Sequence, residues 1–255
     1  MPRLADPFHI IAHRGASGYA PDNTMVSFRR AVAMGATEVE TDVAFTKDGA
    51  LILFHDETLE RTTNGTGLPE DYSLAELQML DAGSWHDPKL SWDHDYSGER
   101  LITLGELFAA FGRSLTYHVE LKKPMPGLVE AVVKAIQAHD LANQVYLFSI
   151  PDEEGLKLAK SLEPRLRIAW APEELLQSDP PEAVRRCVRN GFSMIVLNSS
   201  NQSRELVALA HSLGLEARSS GISSREKMMA AAEIGCNGMT INWPDWLIDY
   251  AAGRG

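Results

Sequence analysis

The polar residues of this chain fall where apolar runs end. His13-Arg14-Gly15 closes the run at 8–12, Glu40 and Asp42 lie two apart within 38–45, His55-Asp56 follows 50–54, and Glu120 and Lys122 lie two apart within 117–122. In a parallel α/β fold the carboxyl ends of the strands form the ligand crevice. Two histidines, an arginine, a lysine and three carboxylates meeting there would make a metal-dependent site for an anion, a set suited to phosphoester hydrolysis.

Strand phase sorts these candidates. Residues two apart on a strand share a face, so Glu40 and Asp42 point together into the fold while Val39, Thr41 and Val43 face the other way. Two adjacent carboxylates in a barrel interior repel each other and lose hydration unless a cation neutralises them. Oxygen ligands suit a hard divalent ion, Mg²⁺ or Ca²⁺. Glu38 is in phase with them, but at the lower end of the strand it would be buried without reason, so the strand proper is expected to begin after it. Glu120 is positioned to complete a three-carboxylate site, and Lys122 to meet a phosphate oxygen as a point charge. Taken alone, Glu120 and Lys122 also read as a plain ion pair, and His118 as a hydrogen-bonded layer residue or an orienter of Glu120. Arg14 offers a bidentate fork for phosphate, Gly15 lets the backbone approach a ligand, and His13 and His55 are candidates for proton transfer, with Asp56 orienting His55.

The elements that must position these residues alternate between β-branched runs and helical patterns, the mark of a βαβ series. Strands are expected at 8–12, 38–45, 115–121, 144–149, 166–171, 193–197, 214–218 and 238–242, with a hairpin arm at 50–54 after Lys47-Asp48-Gly49. Helices are expected near 25–34, 127–138, 153–162, 181–190, 202–212 and 224–234. Eight strands in this pattern give a TIM (β/α)8 barrel, and the whole chain, 1–255, reads as a single domain. The segment 56–103 is too long for a βα loop and too polar for a barrel helix. With capping boxes at Ser73–Glu76 and Thr103–Glu106, and with Trp85, Trp92 and Tyr96 between them, it reads as a small subdomain over the barrel mouth.

The net charge of −11 excludes the basic footprint of a nucleic-acid binder and disfavours an anionic membrane surface. No run approaches a transmembrane span and the first residues do not read as a signal peptide, so a cytoplasmic location without a membrane anchor is expected. Cys187 and Cys236 have neither zinc nor CxxC spacing and read as ordinary thiols. His9, His86, His94, His139 and His211 have no convergent partner in the sequence, and Ser17 and Ser149 lack the strand–turn–helix setting of a serine nucleophile.

On His13-Arg14-Gly15, Ala20-Pro21-Asp22-Asn23-Thr24, Glu40-Thr41-Asp42-Val43, Thr46-Lys47-Asp48-Gly49, Phe54-His55-Asp56, Leu59-Glu60-Arg61-Thr62-Thr63-Asn64-Gly65 and Glu120-Leu121-Lys122, the chain resembles the glycerophosphodiester phosphodiesterase family. The resemblance implies a TIM barrel with an inserted subdomain after the second strand, and hydrolysis of glycerophosphodiesters to sn-glycerol 3-phosphate and an alcohol. It also implies a divalent metal cation on Glu40, Asp42 and Glu120, an acid–base pair His13 and His55, and phosphate contacts from Arg14 and Lys122. Three departures stand out. Asp22 replaces the usual Glu, Arg218-Ser219-Ser220-Gly221 stands where Trp-Thr-Val-Asn is usual, and Asn242-Trp243-Pro244 stands where an acid precedes the aromatic and Pro. Arg218, Asn242 and Trp243 are therefore expected to shape the substrate pocket, with Arg218 favouring a substrate that carries a second anionic group. Two rival readings are a related barrel phospholipase or lyase acting on lysolipids, with Trp85 and Trp92 dipping into an interface, and a non-catalytic phosphate-binding module.

Overall fold

The computed structural model describes residues 4–85, 92 and 94–254. Its strands are β1 His9–His13, β2 Glu38–Phe45, β3 Leu51–Leu53, β4 Thr116–Leu121, β5 Val145–Ser149, β6 Arg167–Trp170, β7 Met194–Asn198, β8 Glu216–Ile222 and β9 Gly238–Ile241. They run in the order β1-β9-β8-β7-β6-β5-β4-β2, and β1 pairs back onto β2, which closes a parallel eight-stranded barrel. The arm β3 lies outside the ring, antiparallel to β2, after a turn in which Gly49 takes φ 78°. Helices cover the outside, and they begin where side-chain caps satisfy free amides: Thr24 accepts from the Ser27 amide and Asp152 from the Gly155 amide. Both expected capping boxes form, at Ser73–Glu76 and Thr103–Glu106. Two further helices, Glu173–Ser178 and Pro244–Ala251, escaped the periodicity reading.

The main core lies between barrel and helices, where outward strand residues such as Val39, Val43, Val119, Leu147 and Ile195 meet Phe28, Val132, Leu156 and Val184. Burying each such side chain contributes about 1.5–3 kcal/mol. Inside the ring the two sides differ. Tyr146, Phe148, Ala169, Met194 and Val196 form an apolar wall on β5–β7, whereas β1, β2, β4 and β8 carry the inward charges. The segment after β3 builds a small apolar cluster of its own from Ile52, Phe54, Leu59, Leu77, Ala82 and Leu101. Its tie to the mouth is polar: Arg30 donates to the Tyr96 hydroxyl at 2.7 Å, which donates to the Tyr19 carbonyl at 2.9 Å.

The structure corrects two boundaries that matter for the site. β2 begins at Glu38, not after it, and the Glu38 carboxylate is inside the barrel, where the Nδ1–H of His9 reaches it at 2.8 Å and His118 Nε2 at 2.9 Å. β8 runs to Ile222 rather than ending at 218, with a register shift against β9 between Ser219 and Ile222. Arg218 is thus a mid-strand residue, and Ser220 occupies the next inward step toward the mouth.

Candidate active site

Register sets the centre of the site. Asp42 pairs with Glu120 across β2 and β4, and Glu40 pairs with His13 on β1 and with His118 on β4. The three carboxylates Glu40, Asp42 and Glu120 are all buried, and one oxygen of each lies within 4.8 Å of the others. Glu40 Oε2, Asp42 Oδ1 and Glu120 Oε1 have no hydrogen-bond partner in hydrogen-bond geometry. Burial and the neighbouring charges of Asp42 and Glu120 push the Glu40 carboxyl well above its ordinary range, and burial and Asp42 push Glu120 up as well. Asp42 goes the other way: against the effect of burial, the Arg14 cation holds it down at about 2. Three buried carboxylates converging with this mutual repulsion could hold a hard divalent cation.

Two cations flank the cluster. Arg14 Nη1 donates to Asp22 Oδ2 at 3.0 Å, and its Nε lies 3.1 Å from Asp42 Oδ2. Lys122 Nζ lies 2.9 Å from Glu120 Oε1 and 3.8 Å from Asp42 Oδ1. Arg14 is held at φ 54°, a left-handed backbone that a non-glycine residue rarely takes. Its carbonyl accepts from the Asn23 amide at 3.1 Å and the Ser27 hydroxyl at 3.0 Å, which anchors that conformation. Gly15 serves the same turn. A Cβ there would come within 2.5 Å of the Ser27 backbone, so the close approach it permits is to the first helix and not to a ligand.

The two histidines come from different elements, His13 at the end of β1 and His55 just after β3. His13 Nδ1 lies 2.6 Å from Asn242 Oδ1, an acceptor, so Nδ1 carries the hydrogen and Nε2 is bare, 3.7 Å from Glu40 Oε2. Burial and the Arg14 cation lower its pKa to about 3, which keeps it neutral near pH 7. His55 Nδ1 donates to Asp56 Oδ1 at 2.7 Å, leaving its Nε2 for other work. Arg61 fixes that pair by donating to both Asp56 oxygens, and its Nη2 also reaches Asp22 Oδ2 at 3.4 Å. A cleft of about 220 Å³ opens beside His13, lined by Ser220, Ile222, Thr240, Asn242 and Trp243. A second, of about 170 Å³, opens beside His55 and Lys122, lined by Phe54, Pro69 and Met125.

Of the residues singled out in the sequence, His13, His55, Arg14, Lys122, Glu40, Asp42 and Glu120 therefore lie together, and Asn242 and Trp243 line the His13 cleft. Arg218 does not. It is 1% exposed, and its guanidinium is hydrogen-bonded to His118, which pairs with Glu40 below Asp42 and Glu120. His9 also departs from expectation, because it is buried between Glu38 and Glu216. Trp85 and Trp92 lie edge to face at 4.7 Å, with Trp85 donating to the Ala82 carbonyl, so the pair is engaged within its own segment. His86 lies outside the described residues. Asn23 and Arg61 were missed as site residues. Asn23 donates to Asp42 Oδ2 at 3.0 Å and accepts from Thr41 at 2.8 Å. Both stand inside the motifs that carry the resemblance, which is the signal that marks them.

A family model, the Glycerophosphoryl diester phosphodiesterase family, matches residues 13–246. The chain belongs to this family. It is 33% identical over 251 residues to a glycerophosphodiester phosphodiesterase of Bacillus subtilis, covering 92% of this chain and 83% of that one. It is 33% identical over 208 residues to one of Caldanaerobacter subterraneus subsp. tengcongensis, covering 72% and 83%. Among solved structures, an Oleispira antarctica phosphodiesterase in complex with the product sn-glycerol-3-phosphate superposes with TM-score 0.80 at 26% identity, covering 98% and 97% of the two chains. The family is one of phosphoric diester hydrolases.

Proposed function

We propose that the protein hydrolyses glycerophosphodiesters to sn-glycerol 3-phosphate and an alcohol, with Mg²⁺ or Ca²⁺ held by Glu40, Asp42 and Glu120. The observation that carries this reading is the convergence of three buried carboxylates near two histidines, each of which uses its Nδ1 in a hydrogen bond. A bound divalent ion supplies Lewis-acid stabilisation of charge on the phosphoryl oxygens. Arg14 and Lys122 hold the phosphate by charge. Neutral His13 takes the proton of the attacking hydroxyl at Nε2. Protonated His55, oriented through Nδ1 by Asp56, gives a proton from Nε2 to the departing alkoxide as the P–O bond breaks. The two clefts, one beside His13 and one beside His55 and Lys122, suit the two arms of a diester. The segment 56–103 acts as a cap that brings Arg61 to Asp56, and the buried free thiols of Cys187 and Cys236 suit a reducing cytoplasm. Among the described residues no helix is long and apolar enough to cross a membrane.

Release of glycerol 3-phosphate from glycerophosphocholine and glycerophosphoethanolamine, with Mg²⁺, with Ca²⁺ and with chelator, tests this. The expected result is ion-dependent turnover that Glu120→Gln abolishes. Turnover unaffected by chelator rejects the metal role. Binding of diesters without turnover favours the phosphate-binding module, and turnover of lysolipid micelles alone favours the phospholipase or lyase reading. A cyclic phosphate seen in a quenched reaction identifies the substrate's own glycerol hydroxyl as nucleophile; its absence in favour of direct release identifies water.

A further inference from the structure

Beneath the carboxylates the barrel holds a charge that the reaction does not use. Arg218 projects inward from β8, at the level where that strand pairs with Val196 and Gly238. Its Nη1 donates to His118 Nδ1 on β4 at 3.0 Å. In the strand order β8 and β4 stand four steps apart in either direction, so this side chain spans the barrel. At Gly238, its register partner on β9, a Cβ would lie 2.5 Å from the backbone oxygen and Cβ of His9 on β1. The guanidinium carbon lies 4.7 Å from the centre of the Phe148 ring, and Nε has no hydrogen-bond partner.

An arginine is always charged and has only donors. It follows that His118 accepts at Nδ1 and donates from Nε2 to Glu38, which fixes its tautomer. His118 sits at the register of Glu40, one pair below Asp42 and Glu120. The carboxylates whose charge acts on Arg218 are, in order, Glu40, Glu120 and Glu38. The metal-binding acids Glu40, Asp42 and Glu120 are thus opposed by Arg14 and Lys122 at the rim and by Arg218 from below. Arg14 and Arg218 also face the carboxylates of Asp22 and Glu38, so Arg218 adds its charge from below to a centre where acids outnumber cations.

We propose that Arg218 is the internal counter-charge of the carboxylate cluster: it keeps the empty site folded, and by repelling an incoming divalent cation it sets the affinity of that site. This rests on the metal reading given above and assigns Arg218 no contact with substrate. A unit charge acting on these carboxylates from a water-excluded interior is worth at least about tenfold in the affinity of a divalent ion.

The experiment is isothermal titration of chelator-treated, dialysed protein with Ca²⁺ and with Mg²⁺ near pH 8, on the parent and on Arg218→Gln, Arg218→Met and Arg218→Lys, with thermal melting of each in chelator and in saturating ion. The neutral variants are expected to bind about tenfold or more tightly and to gain more in Tm on ion addition than the parent does. Arg218→Lys is expected to stay within about threefold of the parent. A neutral variant that folds only with ion present is the same result in its extreme form. Neutral variants with unchanged or weaker affinity overturn the proposal, as does a Lys variant that behaves like the neutral ones, or neutral variants that fail to fold even with ion. A parent that binds neither ion at millimolar concentration rejects the metal reading itself, which separates the two failures.

Discussion

His9 offers a test of the buried polar floor that does not depend on catalysis. Its side chain is 8% exposed and lies between Glu38 Oε1 at 2.8 Å and Glu216 Oε2 at 3.2 Å. Burial opposes its charge, but the hydrogen bonds to Glu216 and Glu38 prevail and raise its pKa to about 9 from an ordinary 6.5. A difference of that size, at about 1.4 kcal/mol per pH unit, corresponds to roughly 3 kcal/mol of folding stability. The sign follows from the raised folded-state value. Below pH 6.5 the imidazole is protonated folded and unfolded, and the full stabilisation is present. Between 6.5 and about 9 the unfolded chain has lost the proton and the folded one keeps it, so the contribution drains away as pH rises, and above that window it is gone. Urea unfolding of the parent and of His9→Gln, at constant ionic strength from about pH 6 to about pH 9.5, measures this directly. The stability gap between the two is expected to shrink by roughly 3 kcal/mol across that range. A gap that stays constant refutes the reasoning, because it means that His9 is neutral in the folded state and that its partners act as simple hydrogen-bond acceptors.

Saturating Mg²⁺ or Ca²⁺, at about 100 times its Kd, should stabilise the folded protein by about 2.7 kcal/mol; thermal melts with and without chelator read this, and Glu120→Gln should abolish the difference. His13→Ala and His55→Ala should each lower kcat by about 10²–10⁴ with the melting temperature little changed, as expected of proton-transfer groups at the mouth. Arg61→Ala removes a half-exposed ion pair, so chemical denaturation should show a change of less than about 1 kcal/mol. Its kcat should nonetheless fall by roughly tenfold, because Asp56 loses the donor that aims it at His55.

Period-two phase and strand ends were enough to place the mouth. Glu40 and Asp42 had to share a face, Glu120 and Lys122 repeated the spacing, and His13 and His55 each followed an apolar run, so their neighbours in sequence already told where they point. The layer below was not legible in the same way. Glu38 looked like an acid without a reason because its partners His9 and His118 lie 29 and 80 positions away. Arg218 reads from sequence as a mouth residue because its apolar run stops there, and nothing local announces that Ser219 to Ile222 carry β8 onward through a register shift. The difference is physical. A residue at a strand's end is positioned by its own strand, whereas a charge inside the barrel is tolerated only if strands far apart in sequence bring it opposite charges and hydrogen-bond acceptors. Glu38 and Arg218 are both such charges, and His118 joins them: it donates to one and accepts from the other. A variant at His118 should therefore disturb the stability of the floor and the balance of the carboxylates above it together, even though His118 itself is fully buried and touches nothing in the mouth.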